Sequence, residues 1–277
     1  TLIIYPKVLT TLMSQEDLSL TPNQITLPII GYHRSPLSQK FGIPRQPNLV
    51  ALSSLIEFIA PYDTIDAFEG IEAFSHLWIT WHTHHNHLKQ TSQDKAQTID
   101  NEFKPKVRPP RLGGNTKLGV FATRSTYRPS QMGLSVVKLV KVEVVSGAVQ
   151  LHVCGADMVD GTPIIDVKPY IAYSDSITEA VSGFAADKPQ LKPVILSESA
   201  KQQLTEAIDQ PSSQLSEEDG DIICQLIAQD PRPAYRQKQS ERVFYMRYKN
   251  YDIGFQTHED LSAETQSLII VSITALE

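Results

Sequence analysis

Two cysteines, Cys154 and Cys224, are all that this 277-residue chain carries. They lie far apart in sequence, which makes neither a disulfide framework nor a cysteine zinc site and suits a reducing cytoplasm. No run of eighteen apolar residues occurs, so no membrane-spanning helix is expected. The opening Thr1-Leu-Ile-Ile-Tyr-Pro-Lys7 lacks the charged flank, apolar core and small-residue cleavage site of a signal peptide. No Gly-x-Gly-x-x-Gly opens a helix and no Gly-Lys-Ser/Thr loop is present, so the usual dinucleotide and triphosphate grips are missing. A nucleotide-like ligand would then have to sit on loops of a β scaffold. Internal repeats are absent as well.

Acid is missing from one long segment. Lys104 to Lys141 holds nine Lys or Arg and no Asp or Glu, in a chain of formal net charge −6. Confining cations to one stretch builds a local anion site, felt by phosphates over roughly 8–10 Å in physiological salt. The same stretch is rich in Gly, Pro, Ser and Thr and contains Tyr127, adding backbone donors, hydroxyls and a stacking ring. The competing reading is a solvated basic loop with no ligand. Overall acidity argues against indiscriminate nucleic-acid binding, and DNA is not expected as a partner.

What is present is β-like. A hydrophobic fraction of 41% with 20% charged residues fits a globular protein with a sizeable core. Residues 1–24 read as a leader and 25–186 as a strand-rich domain. Short runs at Ile25–Tyr32, Leu55–Ala60, His76–His84, Lys117–Ala122, Leu134–Val145, Val149–Val153 and Ile164–Ile171 are separated by Pro and Gly turns. Ser146-Gly147 predicts a hairpin. Many short strands with regular turns point to a closed barrel or a sandwich. Residues 187–277 read as a small α+β domain. It has a helix capped by Ser197, a second over Glu217–Gln229 stopped at Pro231, a hairpin at Lys249-Asn250 and a last strand at Ser267–Leu276.

Three local motifs carry both a chemical and a plain reading. In Trp81-His-Thr-His-His-Asn-His87, a strand puts His82 and His84 on one face and His85 and His87 on the other. A zinc site needs a third ligand, and no nearby Cys or Glu supplies an obvious one. A neutral His bonding to a ligand or the backbone is preferred, and no metal is expected. Asp160-Gly-Thr-Pro163 is a tight turn, or a place where Gly161 lets a ligand approach while Asp160 meets a cation. Pro44-Arg45-Gln46-Pro47 is a stiff loop, or a preorganised reader of planar groups.

Taken together these residues resemble a known family. Ile43–Pro47, Ile59-Ala-Pro-Tyr62, Ile71–Trp78, Val107–Thr123, Thr123-Arg-Ser-Thr126 with Arg128-Pro129, Val159–Pro169 and Asp230-Pro-Arg-Pro-Ala-Tyr-Arg236 follow the order seen in the TsaA/TrmO-like tRNA methyltransferases. Several motifs in correct order are far more specific than one. The resemblance implies a mainly β fold, with a small antiparallel β-barrel binding S-adenosylmethionine and a small C-terminal α+β domain. It implies a homodimer whose cofactor site the neighbouring subunit completes. The implied substrate is N6-threonylcarbamoyladenosine at position 37, next to the anticodon of threonine-type tRNA, and the implied reaction is N6-methylation. Carried over by position, the cofactor residues are Pro44, Arg45, Gln46, His84, His85, Arg124, Leu134, Asp160, Gly161, Thr162 and Pro163. The tail residues Arg232, Tyr235 and Arg236 resemble a tRNA-holding part.

Two departures from the family pattern bear on substrate preference. Arg128-Pro-Ser-Gln-Met-Gly133 replaces Arg-Pro-Asn-Pro-Ile-Gly, and His84-His85 stands where His-Gln is usual. No catalytic base is identified. The N6–H beside a carbamoyl carbonyl is acidic enough that a hydrogen-bond acceptor can suffice, and His84 is a candidate by residue type. Tyr127 and Phe121 are candidates to stack on splayed bases, with Arg108, Arg111, Arg124 and Arg128 on phosphates. A non-catalytic RNA-binding module and a His-ligated metal-dependent hydrolase are the alternatives.

Overall fold

Alternating apolar positions between Gly31 and Pro169 build a barrel. The computed structural model describes residues 25–84, 103–210, 214–237, 242–258 and 266–276. Its first strands are β1 (Gly31–Arg34), β2 (Ser53–Phe58), β3 (His76–His82), β4 (Lys106–Val107), β5 (Leu118–Gly119), β6 (Met132–Val145), β7 (Ala148–Cys154) and β8 (Pro163–Pro169). Six of them close in the order β1-β2-β7-β6-β3-β8, while β4 and β5 form a separate ribbon. Every barrel pairing is antiparallel. Ile56, Leu77, Ile79, Val137, Leu151 and Ile164 are fully buried inside. Their strand neighbours point outward, as a period of two requires. Closure decides for the barrel over the sandwich, because it leaves no strand edge unpaired.

Most strand ends fall within two residues of expectation, and two runs differ more. The run from Ile25 enters the barrel only at Gly31, and Lys117–Ala122 shortens to β5 followed by a 3-10 turn at Val120–Ala122. Ser146 and Gly147 take φ of 54° and 87°, the left-handed pair that joins β6 to β7 in a tight hairpin.

After a short helix α1 (Ala172–Asp175), the second core forms from β9 (Val194–Leu196), α2 (Glu198–Asp209), α3 (Glu217–Ala228), β10 (Phe244–Tyr248), β11 (Tyr251–His258) and β12 (Ser267–Ala275). The sheet runs β10-β11-β12-β9, with β9 parallel to β12. Ser197 caps α2 by accepting from the Ala200 amide, and Ser216 with Asp219 forms a reciprocal capping box on α3. Asp219 also accepts from Tyr248 Oη at 2.6 Å and Lys249 Nζ at 2.7 Å, fastening α3 to the β10–β11 hairpin.

This second core reaches back into the first half of the chain. Leu37, Val50 and Leu52, all from the β1–β2 connection, are buried among its side chains, with Phe41 and Ile43 packed beside them. The connection therefore belongs to the C-terminal core in space, although sequence places it inside 25–186. Gly42, at φ 99°, lies where any Cβ would collide with Met246.

Candidate active site

A cavity of about 470 Å³ opens where the barrel meets that connection. The connection brings Lys40, Ile43, Pro44, Arg45 and Gln46; β3 and its end bring Trp81, Thr83 and His84. From the basic segment come Arg124, Thr126 and Arg128, and β6 adds Met132, Gly133 and Leu134. The fourth wall is Asp157, Met158, Val159 and Thr162. Seven of the expected cofactor residues thus share one cavity: Pro44, Arg45, Gln46, His84, Arg124, Leu134 and Thr162.

The turn at Asp160–Pro163 is built differently from its expected role. Asp160 Oδ1 accepts from the Ser35 amide at 3.0 Å, so this carboxylate anchors the β1–β2 connection. Gly161 has φ 73°, and a Cβ there would stand 4.0 Å from His84 Nε2. Thr162 Oγ1 donates to the Val159 carbonyl at 2.7 Å, and Pro163 begins β8. Beneath the turn, His33 is fully buried and its Nδ1 donates to the Val159 carbonyl at 3.2 Å. Burial pushes its pKa down from 6.5 to about 4, so the ring is neutral at pH 7. His33 and Asp157 are the residues sequence reasoning missed.

Asp157 has the more consequential setting. Trp81 Nε1 donates to Ser135 Oγ at 3.0 Å, and that hydroxyl donates to Asp157 Oδ1 at 2.5 Å. Burial pushes the Asp157 carboxyl up, while the Ser135 hydrogen bond and the charge of Arg124 oppose it. Arg124 itself donates to the Leu134 carbonyl at 3.4 Å.

The predicted RNA contacts divide. Arg108, Arg111 and Tyr127 are exposed, and Arg111 donates to the carbonyl of Asp187. Phe121 is 74% exposed and stacks on Phe103, with ring centroids 6.0 Å apart. Arg128 is turned inward: Nη2 donates to Thr123 O at 2.6 Å and Nε to Ser125 O at 3.1 Å, shaping its own loop. The expectation for Arg232 is corrected. It is 0% exposed, paired with Asp230 through Nε and Nη2 at 2.7 and 3.0 Å and with Thr257 Oγ1 at 2.5 Å. A sealed guanidinium cannot reach a phosphate. Arg236 is half-buried in the 3-10 turn Ala234–Arg236, and His85, His87 and the Tyr235 side chain lie outside the described residues. Among the described residues, no three His, Cys, Asp or Glu side chains converge as metal ligands do.

Residues 32–176 match the tRNA-methyltransferase O N-terminal domain, and residues 188–273 match the TrmO C-terminal domain. The chain belongs to the TrmO family. Within that family it is 40% identical over 238 residues to the tRNA (adenine(37)-N6)-methyltransferase of Escherichia coli (strain K12), across 82% of this chain and 94% of the relative. A putative S-adenosylmethionine-dependent methyltransferase, RcsF, of Pseudomonas aeruginosa is 40% identical over 225 residues, across 81% and 89%. The crystal structure of TrmO from Pseudomonas aeruginosa superposes with a TM-score of 0.68 at 29% identity, covering 91% of this chain and 99% of that one. The barrel and the C-terminal sheet domain are thus the TrmO family's fold.

Proposed function

We propose that this TrmO-family chain is an S-adenosylmethionine-dependent tRNA (adenine-N6)-methyltransferase acting on N6-threonylcarbamoyladenosine at position 37 of threonine-type tRNA. The observation that carries this reading is the convergence of Pro44, Arg45, Gln46, His84, Arg124, Leu134 and Thr162 on one cavity beside the acid-free segment. Its volume lies within the roughly 300–1,000 Å³ typical of small-molecule sites. Its chemistry fits the cofactor: Ile43, Leu134 and Met158 offer apolar contact, and Gln46 and Thr126 offer polar groups for hydrogen bonds. When bound, S-adenosylmethionine supplies an electrophilic methyl group on a sulfonium. The chain's own task is alignment of donor and acceptor and exclusion of water, which lowers the barrier of an in-line displacement.

The exposed cations Arg108 and Lys117 adjoin the cavity in sequence and meet the phosphates of the anticodon loop, while Phe121 and Tyr127 meet its splayed bases. Leu134 lines the cavity yet is 48% exposed, and a second copy of the chain covers it in the homodimer we infer. Residues 25–186 and 187–277 act as the cofactor and tRNA-supporting parts. No helix of the described residues is long and apolar enough to cross a membrane, and the tRNA substrate makes the cytoplasm the working location.

The test is transfer of labelled methyl from S-adenosylmethionine to tRNA. Methylation should require the threonylcarbamoyl mark. Equal labelling of tRNA from cells unable to make that mark would refute the substrate assignment, and a protein that melts at the same temperature with and without cofactor would refute the enzyme.

A further inference from the structure

Moving a methyl group onto N6 requires somewhere for the N6 proton to go. Of the titratable side chains lining the cavity, Lys40, Arg45, Arg124 and Arg128 are cations at neutral pH and donate rather than accept. The acceptors left are His84 and Asp157. Asp160, the other carboxylate of this region, is committed to the Ser35 amide. Asp157 is held by a relay that runs in from β3 and β6. Gly133 has no Cβ, and one would overlap the Trp81 ring, so the indole packs flat on β6. From there Trp81 Nε1 donates to Ser135, which is 0% exposed, and Ser135 donates to Asp157 Oδ1. Two side chains of the barrel wall thereby fix one carboxylate oxygen at the cavity surface. This is the arrangement of an acceptor held by an orienting group.

We propose that Asp157 is the catalytic residue that accepts the N6 proton, with Ser135 and Trp81 as its positioning residues. The assignment rests on the methyltransferase reading above. In the step, the N6 lone pair forms the new bond to the methyl carbon. The bond from that carbon to sulfur breaks with its electron pair remaining on sulfur as a neutral thioether. The N6–H electrons stay on nitrogen, and the proton passes to the Asp157 carboxylate. Burial raises the basicity of this carboxyl above that of an ordinary aspartate, while Ser135 and Arg124 hold the rise in check. Lys40, Arg45, His84 and Arg128 complete the charged and titratable groups of the cavity wall.

The experiment uses the full chain and tRNA bearing the threonylcarbamoyl mark. Asp157→Asn keeps the size and the bond from Ser135 but accepts no proton, and kcat should fall about 100-fold or more. Calorimetric binding of S-adenosylmethionine and S-adenosylhomocysteine should keep the wild-type ratio of affinities in that variant. A selective loss of the charged ligand would mean the carboxylate faces the sulfonium, overturning the assignment. So would undiminished kcat. Ser135→Ala removes a bond that lowers the Asp157 pKa, so the acid limb of kcat against pH should move upward, whereas His84→Gln should leave that limb in place. An unmoved limb in Ser135→Ala, or one that vanishes in His84→Gln, transfers the role to His84, and this arm decides the matter even if Asp157→Asn fails to fold. A wild-type protein inactive on this tRNA overturns the functional reading itself, an outcome distinct from an active wild type with an equally active Asp157→Asn.

Discussion

Arg45 Nη2 donates to the backbone oxygen of Asp230 at 3.4 Å, across 185 residues of sequence. The bond links the cavity loop to the end of α3. Asp230 stands there in a left-handed conformation, φ 46°, that a non-glycine residue adopts only when its surroundings hold it. They do: Arg232 grips its carboxylate from one side and Lys192 Nζ, at 2.8 Å, from the other. The two cations keep the Asp230 carboxyl below the usual range against the opposing effect of burial. Asp230, Arg232 and Lys192 therefore set the position of a cavity residue without themselves lining the cavity.

Arg232→Met should be strongly destabilising, because it leaves Asp230 buried with half its neutralising charge. Breaking a buried pair on one side costs about 3–5 kcal/mol, which lowers Tm by roughly 10 °C in a chain of this size. Calorimetry checks it. A shift under about 2 °C would show that Lys192 alone suffices.

How much of this was legible depends on how far apart the cooperating residues lie. The Ser146-Gly147 hairpin, the Ser197 cap and the stop at Pro231 could be read directly, since each depends on a few consecutive residues. Pro44, Arg45, Gln46, Arg124 and Leu134 were found through motif order rather than chemistry, and the fold gathers them. Asp157 was missed because its meaning comes from Ser135 on β6 and Trp81 on β3, both distant in sequence. His33 lies just past the expected Ile25–Tyr32 run and carries no signal of its own, and only barrel closure seals it. Arg232 was assigned to tRNA through family likeness alone. The Asp two residues before it, across a proline, was the available signal for a local pair. Leu37, Val50 and Leu52 gave no hint of belonging to the distant core, as apolarity names no partner.

Gly133→Ala is a second test. A Cβ at this site would overlap the Trp81 ring, and the backbone of β6 cannot yield without disturbing its pairing to β3. The indole must turn, releasing Ser135. Overpacking of this kind costs about 1–3 kcal/mol. Methyl transfer should fall further than stability explains, as seen by comparing activity at a temperature where the variant remains fully folded. Full activity there would detach Trp81 from the site.

His33 predicts a pH dependence of stability. Its pKa is about 4 in the folded chain and 6.5 in the unfolded one, so between these values the unfolded state binds more protons. Stability from this group is complete above about pH 6.5 and declines as pH falls towards 4, by roughly 3 kcal/mol in total. His33→Asn retains a donor towards Val159 and removes the titration. Urea unfolding across this window should show a shallower pH slope for the variant. Parallel slopes would assign the acid lability elsewhere.

The acid-free segment predicts a salt effect that separates its arginines. Arg108 and Lys117 are exposed, whereas Arg128 directs two donors to Thr123 and Ser125 carbonyls of its own loop. Each phosphate contact on single-stranded nucleic acid contributes about −0.7 to the slope of log affinity against log salt. Replacing Arg108 and Lys117 together with Gln should flatten the slope for tRNA by about 1.4 and weaken binding most at low salt. Arg128→Gln should leave the slope close to wild type and instead weaken cofactor binding, since its loop forms the cavity wall. Filter binding from low to moderate salt measures the first, and calorimetry the second. If the double variant runs parallel to wild type, the exposed cations do not touch RNA phosphates. If Arg128→Gln also flattens the slope, that side chain leaves its loop carbonyls when tRNA arrives.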